Sequence, residues 1–434
     1  MNIRTSNVKS KSEKEISLRI KLQERYKRVR KFSNKICETL ETEDYVIQSM
    51  PDVSPTKWHL AHVTWFFETF LLEKVFPDYK SPNSLFTYLF NSYYIQVGKR
   101  WKRPKRGLLS RPTVREIYQY RKYVDEQMNK FFENATDAML EEMKVVIEIG
   151  LNHEQQHQEL ILTDIKHVLS QNPLRPVFFE RNINIDPDIP ELKWIENEGG
   201  LVEIGYNGNG FFYDNEKPVH KELLYPFAAA DRLVTNKEYI EFIEDGGYKT
   251  PTLWLSDGIA TVEQNNWEAP LYWEKVDGEW MNFTLNGYRK VHYAEPVAHV
   301  SFYESDAFAR WAKSRLLTEA EWEKVSKNVT VRGNFVENET YHPVPINNNY
   351  QEGDVNQLFG DVWEWTQSPY VGYPGYKIPD GAIGEYNGKF MSNQMVLRGG
   401  SCATSITHIR NTYRNFFPPY SRWQFMGIRL AKDI

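Results

Sequence analysis

The sequence predicts an α+β protein of two domains, a helical bundle followed by an irregular domain of short strands and loops. Three observations carry that prediction. Up to about residue 171 the chain consists of long stretches in which apolar residues recur at helical spacing, separated by capping residues. Residues 172–190, NPLRPVFFERNINIDPDIP, are crowded with Pro, Asn and Asp, as a linker would be. Beyond them Gly, Trp, Asn and Tyr become frequent and the runs between turn residues shorten. A length of 434 residues suits two domains. The expected division is a leader over 1–20, a bundle over 21–171, a linker over 172–195 and a second domain over 196–434.

The leader opens MNIRTSNVKSKSEKE and has no apolar signal region. A charged, periodic stretch from Leu18 to Thr42 predicts the first helix. Ser54 and Pro55 announce a second, with Ser as N-cap and Pro at the first helical position, and it should run to Pro77. It carries His59 and His62 among Trp58, Trp65 and Phe66. Ser81 to Ser110 should be a long loop, with Pro82, Gly98, Pro104 and Gly107, a Tyr93–Tyr94 pair and a basic run from Lys99 to Arg106. That run reads as solvated charge, although a loop over a bundle end is also where ligand contacts are made. Helices resume at Pro112–Phe132 and Ala135–Leu169, completing an antiparallel four-helix bundle with one long excursion. In the second domain only Thr235–Glu244 and two stretches within Ser301–Lys327 keep a helical period.

The fourth helix contains LNHEQQHQELILTDIKHV, Leu151 to Val168. Four-residue spacing puts His153 and His157 on one face, one turn apart, close enough to share a metal ion. Ile147, Leu151, Leu160, Ile161 and Ile165 keep the helical period around them. The pair alone fits two hydrogen-bonded core histidines as well as it fits a metal site. It also spells the H-E-x-x-H of zinc peptidases, which would make Glu154 a general base. What decides is a third ligand, and His59 or His62, among aromatics on another bundle helix, could supply it.

Composition narrows the function classes. Hydrophobic content of 41% and aromatic content of 15% can fill large cores and pockets. A formal charge of -5 argues against bulk binding to nucleic acid or membrane surface. No run of eighteen apolar residues predicts a transmembrane helix. Only Cys37 and Cys402 are present, so no disulfide framework is expected, and a cytoplasmic location is the simplest expectation.

The second half carries EKPVH (Glu216 to His220), TNKEYIEFIEDGGY (Thr235 to Tyr248), PVAHVSFYESDAFARWA (Pro296 to Ala312) and RLLTEAEWEKVSK (Arg315 to Lys327). GDVWEWTQSPY (Gly360 to Tyr370), LRGGSC (Leu397 to Cys402), RNTYRNFF (Arg410 to Phe417) and MGIRLA (Met426 to Ala431) follow in order. These runs resemble the formylglycine-generating/sulfatase-modifying family, which implies a C-type-lectin-like fold. That family's formylglycine-generating members hold copper with two cysteines, whereas this domain has Cys402 alone, so that activity is not expected. The first half resembles a DinB-type bundle, whose pattern takes metal ligands from one early-helix histidine and a later H-x-x-x-H pair. Here these fall on His62, His153 and His157.

A DinB-like bundle joined to such a domain resembles the sulfoxide synthases of ergothioneine and ovothiol biosynthesis. The resemblance implies an Fe(II) enzyme that joins a small thiol, cysteine or γ-glutamylcysteine, to hercynine using O2. It implies Gln156 against the hercynine imidazole, Asn415 and Phe416 at the carboxylate end of the betaine, and Arg103 and Arg106 on the carboxylate of the thiol. Phe416, Phe417 and Trp423 offer aromatic faces to a trimethylammonium. Relatives that use γ-glutamylcysteine carry an acidic residue where this chain has Phe416–Phe417, which favours free cysteine. The tyrosine that some relatives place in the second domain has its nearest match by spacing in Tyr376, and Tyr93 and Tyr94 are the preferred proton donors. Ovothiol-type synthases share this architecture, join sulfur at a different imidazole carbon and often add a methyltransferase domain; they are the alternative expectation. A selenium-transferring relative or a non-enzymatic ligand-binding protein would share most of these features.

Overall fold

The computed structural model describes residues 17–181, 188–346, 351, 353–380, 384 and 386–434. Most of the expected leader, and residues 182–187 of the expected linker, lie outside them. The α+β, two-domain expectation holds: a helical N-terminal half precedes a β-rich half.

Helix α1 spans Leu18–Lys35, capped by the Ser17 hydroxyl, and buries Leu22, Tyr26, Val29, Arg30 and Ser33 along one stripe. It stops short of the expected Thr42, because the chain turns to bury Ile36 and Cys37. Helix α2, Thr56–Phe67, starts just after the predicted cap. Ser54 does not cap it: the Ser54 N–H donates to Asp164 at 2.8 Å and its hydroxyl accepts from Arg106. A five-residue π-turn, Glu68–Leu72, continues α2, and all seventeen residues from Thr56 to Leu72 are buried. The predicted loop holds only a short helical turn at Phe86–Phe90 and a 3₁₀ turn at Arg103–Leu108. Helix α3, Val114–Asn134, opens on a Thr113/Glu116 capping box, and α4, Asp137–Ser170, on a Thr136 cap.

The C-terminal half of α4 is buried on every face, with only Gln156 and Leu160 partly exposed, because it lies between the bundle and the second domain. Its polar residues bond across. Gln155 donates to Ser405 and Thr407, and Glu159 accepts from Trp363, Ser401 and Thr404. Gln424 donates to Thr163, and Trp423 to Asp164. A helix read from sequence as one wall of a bundle is therefore the spine of both domains.

In the second domain β1 (Trp194–Asn197), β4 (Phe227–Ala230), β13 (Leu430–Asp433) and β8 (Arg315–Leu316) form one sheet in that order. A second sheet orders β11 (Asn415–Phe417), β10 (Met395–Arg398), β9 (Trp363–Pro369) and β12 (Met426–Gly427). The pair β2 (Gly200–Ile204) and β3 (His220–Leu224), and the meander β5 (Trp273–Val276), β6 (Glu279–Thr284) and β7 (Gly287–Lys290), stand apart. Three helices, α5 (Asn236–Glu244), α7 (Phe302–Trp311) and α8 (Glu319–Ser326), begin at capping boxes and occupy the predicted stretches. Helix α6, Ser256–Asn265, was not expected: it has no side-chain cap, includes Gly258 and ends on left-handed Asn266. No helix among the described residues is long and apolar enough to cross a membrane.

Candidate metal centre

His59 and His62 project from α2, and His153 and His157 from α4, into the space where the two helices face each other. His62, His153 and His157 place one ring nitrogen each within 4.8 Å of one another. Burial pushes all three imidazoles down, His153 to about 3, so they are neutral near pH 7 with lone pairs available.

Hydrogen positions test whether the group suits a cation. His62 Nδ1–H donates to the Phe90 carbonyl at 2.6 Å, which leaves a lone pair on Nε2. That nitrogen lies 3.1 Å from His153 Nε2. If His153 Nε2 carries the hydrogen, its buried Nδ1 is left as an acceptor without a partner. With a cation between them both Nε2 lone pairs point at it, the His153 hydrogen moves to Nδ1, and 3.1 Å suits two nitrogens on one ion with bonds of about 2.1 Å. The residues fit a divalent metal.

His59 is not part of that group. Its Nε2 faces Asp164 at 3.0 Å and its Nδ1 faces His157 Nδ1 at 2.8 Å. Glu154 points the other way, into the bundle, where Arg30, Arg121 and Ser33 bind it at 3.0, 2.5 and 2.6 Å. It has no access to a metal-bound water, so the peptidase arrangement is absent.

Around the histidines the predicted contacts separate into two sets. Gln156 is close by: its amide donates to Tyr413 at 2.7 Å and accepts from Tyr386. His408 completes this polar wall, bonded to Tyr413 at 3.0 Å and to Asn152 of α4 at 3.0 Å. Arg106 is buried beside Trp58, its guanidinium carbon 3.3 Å from the ring centroid, with Ser54 and Ser92 hydroxyls as acceptors and Nε unpartnered. Burial, and then Arg103, lower its pKa well below the ordinary arginine value, because no carboxylate bonds to it directly. Arg103 itself is exposed and donates to the Asp52 carbonyl. Asn415 turns back on its own strand, accepting from the Phe416 N–H at 2.9 Å. Phe416 stacks on Tyr370 at 4.0 Å and reaches the histidines only through a file of rings, Phe390, Tyr93 and Tyr386. Trp423 donates to Asp164 and packs edge-on against Phe417.

Tyr94 is fully buried between Trp65 and Phe70, and Tyr93 packs against it, tilted by 32°, with ring centroids 4.6 Å and hydroxyls 3.5 Å apart. Tyr376 lies elsewhere, donating to Asp214. The tyrosine of the second domain that meets the histidines is Tyr386, whose ring lies 5.8 Å from His153. It sits in a Gly-rich loop with no periodicity or motif, so the sequence offered no signal for it. Tyr413 lies within the RNTYRNFF motif and was legible in principle.

A chain of this architecture is a two-domain protein with a buried three-histidine pocket, roofed by a β-rich domain. Residues 186–353 and 333–434 match the family described as "Sulfatase-modifying factor enzyme 1-like domain", and residues 25–161 match the DinB superfamily. The chain belongs to the sulfatase-modifying factor enzyme 1-like family, with a DinB-superfamily bundle ahead of that domain. It is 29% identical over 419 residues to the hercynine oxygenase of Mycolicibacterium smegmatis, covering 89% of this chain and 93% of that one. It is 29% identical over 417 residues to the hercynine oxygenase of Mycolicibacterium thermoresistibile, covering 88% of each. With the hercynine oxygenase of Mycobacterium tuberculosis it shares 35% over 242 residues, 51% of this chain and 56% of that one.

Proposed function

We propose that the protein is a sulfoxide synthase of ergothioneine biosynthesis. It joins the sulfur of a small thiol, cysteine in preference to γ-glutamylcysteine, to hercynine with Fe(II) and O2. The observation that carries this reading is the neutral His62–His153–His157 group, with Gln156 next to His157 on α4 and buried Arg106 against Trp58, the ring that stacks on His62. Full-length similarity to hercynine oxygenases supports it. The reaction balances with one O2. A C–S bond replaces the imidazole C–H and the thiol S–H, sulfur gains one oxygen, and the second oxygen leaves as water.

Ferrous iron, when bound, supplies the open positions for thiolate and O2 and the electrons that begin oxygen reduction. The chain's own residues do the rest. Arg106 offers a carboxylate a rigid fork, and a substrate carboxylate would give its buried charge the partner it lacks. Gln156, held by Tyr386 and Tyr413, presents a fixed amide to an imidazole. Tyr386, Tyr93 and Tyr94 bring phenols to one side of the pocket as proton donors. The roof of Tyr213, Tyr386 and Tyr413 excludes bulk water and holds both substrates against one centre, which raises their effective concentration. Mass analysis of the product from Fe(II)-loaded protein, hercynine, cysteine and O2 tests the proposal. The expected product is the sulfoxide at imidazole C2, and attachment at another imidazole carbon would redirect the reading to an ovothiol-type synthase.

A further inference from the structure

We infer that Asp164 and His59 form a positioning relay that fixes His157 as an Nε2 metal ligand, and that Trp423 couples this relay to docking of the second domain. The inference rests on the reading of His62, His153 and His157 as the metal site, and adds what sets the site's affinity.

The hydrogens follow from the acceptors. Asp164 Oδ2 accepts from the Ser54 N–H at 2.8 Å and faces His59 Nε2 at 3.0 Å, while Oδ1 accepts from Trp423 Nε1–H at 3.1 Å. A carboxylate only accepts, so His59 Nε2 carries the hydrogen. In the neutral ring His59 Nδ1 is then an acceptor, and His157 Nδ1, 2.8 Å away, must donate to it. That leaves the lone pair of His157 on Nε2. The opposite assignment, with His157 Nδ1 accepting, places a hydrogen on Nε2 and destroys the ligand. The relay therefore selects the metal-binding tautomer and holds the ring's orientation through a carboxylate–histidine–histidine chain.

The three ligands are not held alike. His62 is anchored by a backbone carbonyl, Phe90 O, and His153 Nδ1 has no partner among the described residues. Among the described residues only His157 is held through side chains, and that chain ends in the other domain, at Trp423 between β11 and β12. Asp164 is 2% exposed and Trp423 6%, so water does not substitute freely for either bond. Seating the second domain on α4 thus completes the acceptor that orients a ligand in the first.

Equilibrium titration of the metal-free full-length protein with Co(II), read by its d–d absorption and by chelator competition, tests this without turnover. His59→Ala should weaken Co(II) binding about 10–100-fold, the range typical of lost outer-shell partners. His59→Gln, whose amide can donate to Asp164 and accept from His157, should recover to within about threefold of the parent. Trp423→Phe keeps the packing and should weaken binding by about threefold to tenfold. Parent-like affinity and spectrum in His59→Ala would overturn the relay. So would a His59→Gln variant as weak as His59→Ala with a spectrum of fewer nitrogen ligands, since His59 would then be a ligand. His157→Ala separates the two readings. Tight Co(II) binding by that variant overturns the three-histidine site itself, whereas its loss beside an unaffected His59→Ala overturns the relay alone.

Discussion

Glu154→Gln should destabilise the bundle strongly and leave metal binding nearly intact. Glu154 sits between the histidines in sequence but faces the core, where Arg121, Arg30 and Ser33 bind it. Burial alone would raise its pKa, yet the two guanidinium groups and the hydroxyl reverse that and hold it at about 2, against an ordinary 4.5. At about 1.4 kcal/mol per pH unit this gap corresponds to roughly 3 kcal/mol. A group depressed on folding contributes above its unfolded value, so this stabilisation is complete above about pH 4.5 and is lost as the pH falls toward 2. Removing one member of a buried ion pair also typically costs about 3–5 kcal/mol, because the partner charges are left uncompensated. Gln keeps the shape and removes the charge, leaving Arg30 and Arg121 facing a neutral amide. For a domain the size of this bundle, a loss of about 3 kcal/mol should lower Tm by roughly 6–12 °C at pH 7. Calorimetry of parent and variant between pH 3 and 7 is the assay, and the difference should shrink toward the acid end. A variant melting within about 2 °C of the parent at pH 7 would refute the reasoning. So would a well-folded variant that loses Co(II), since Glu154 would then act at the metal.

The Tyr93→Phe/Tyr94→Phe and Tyr386→Phe variants keep their rings. Whichever supplies the proton should lose sulfoxide formation by about 10²–10⁴-fold while cysteine sulfinic acid rises, with liquid chromatography–mass spectrometry as the readout. If neither variant changes rate or product ratio, the donor lies outside this cluster. Arg106→Lys keeps a charge but loses the fork, and should raise KM for the thiol about tenfold with Co(II) affinity within about threefold of the parent. An unchanged KM would remove Arg106 from substrate binding. On the reading that Phe416–Phe417 replaces the acidic residue of relatives that use γ-glutamylcysteine, kcat/KM should favour free cysteine by about tenfold. A preference for γ-glutamylcysteine would place that partner elsewhere.

The parts of this site that were legible in the sequence are those fixed by local geometry. His153 and His157 share a face because four residues make about one helical turn, and capping boxes at Thr113, Thr235, Ser301 and Thr318 mark helix starts by residue type alone. The choice between His59 and His62 was not local. Both lie on one helix three residues apart, and what separates them is a partner on α4: Asp164 for one, the His153 ring for the other. The resemblance pointed to His62, and nothing in the spacing would have assigned His59 its own task. Tyr386 was invisible for a related reason, since its place beside His153 and Tyr213 is set by tertiary packing. Helix α1 ended early because Ile36 and Cys37 were drawn into the core, a demand of packing that its charged periodic sequence does not express.

The most direct test of the central claim is single turnover with the parent and the His62→Ala, His153→Ala and His157→Ala variants. Each is loaded anaerobically with one equivalent of Fe(II), mixed with hercynine and cysteine, and exposed to O2. The account predicts one iron per parent chain, O2 consumption that requires both substrates, and a product whose mass is the sum of hercynine and cysteine, less two hydrogens and plus one oxygen. Each histidine variant should lose stoichiometric iron and that product together. Full iron and full product in any of the three, or a parent that binds hercynine and never consumes O2, would contradict it.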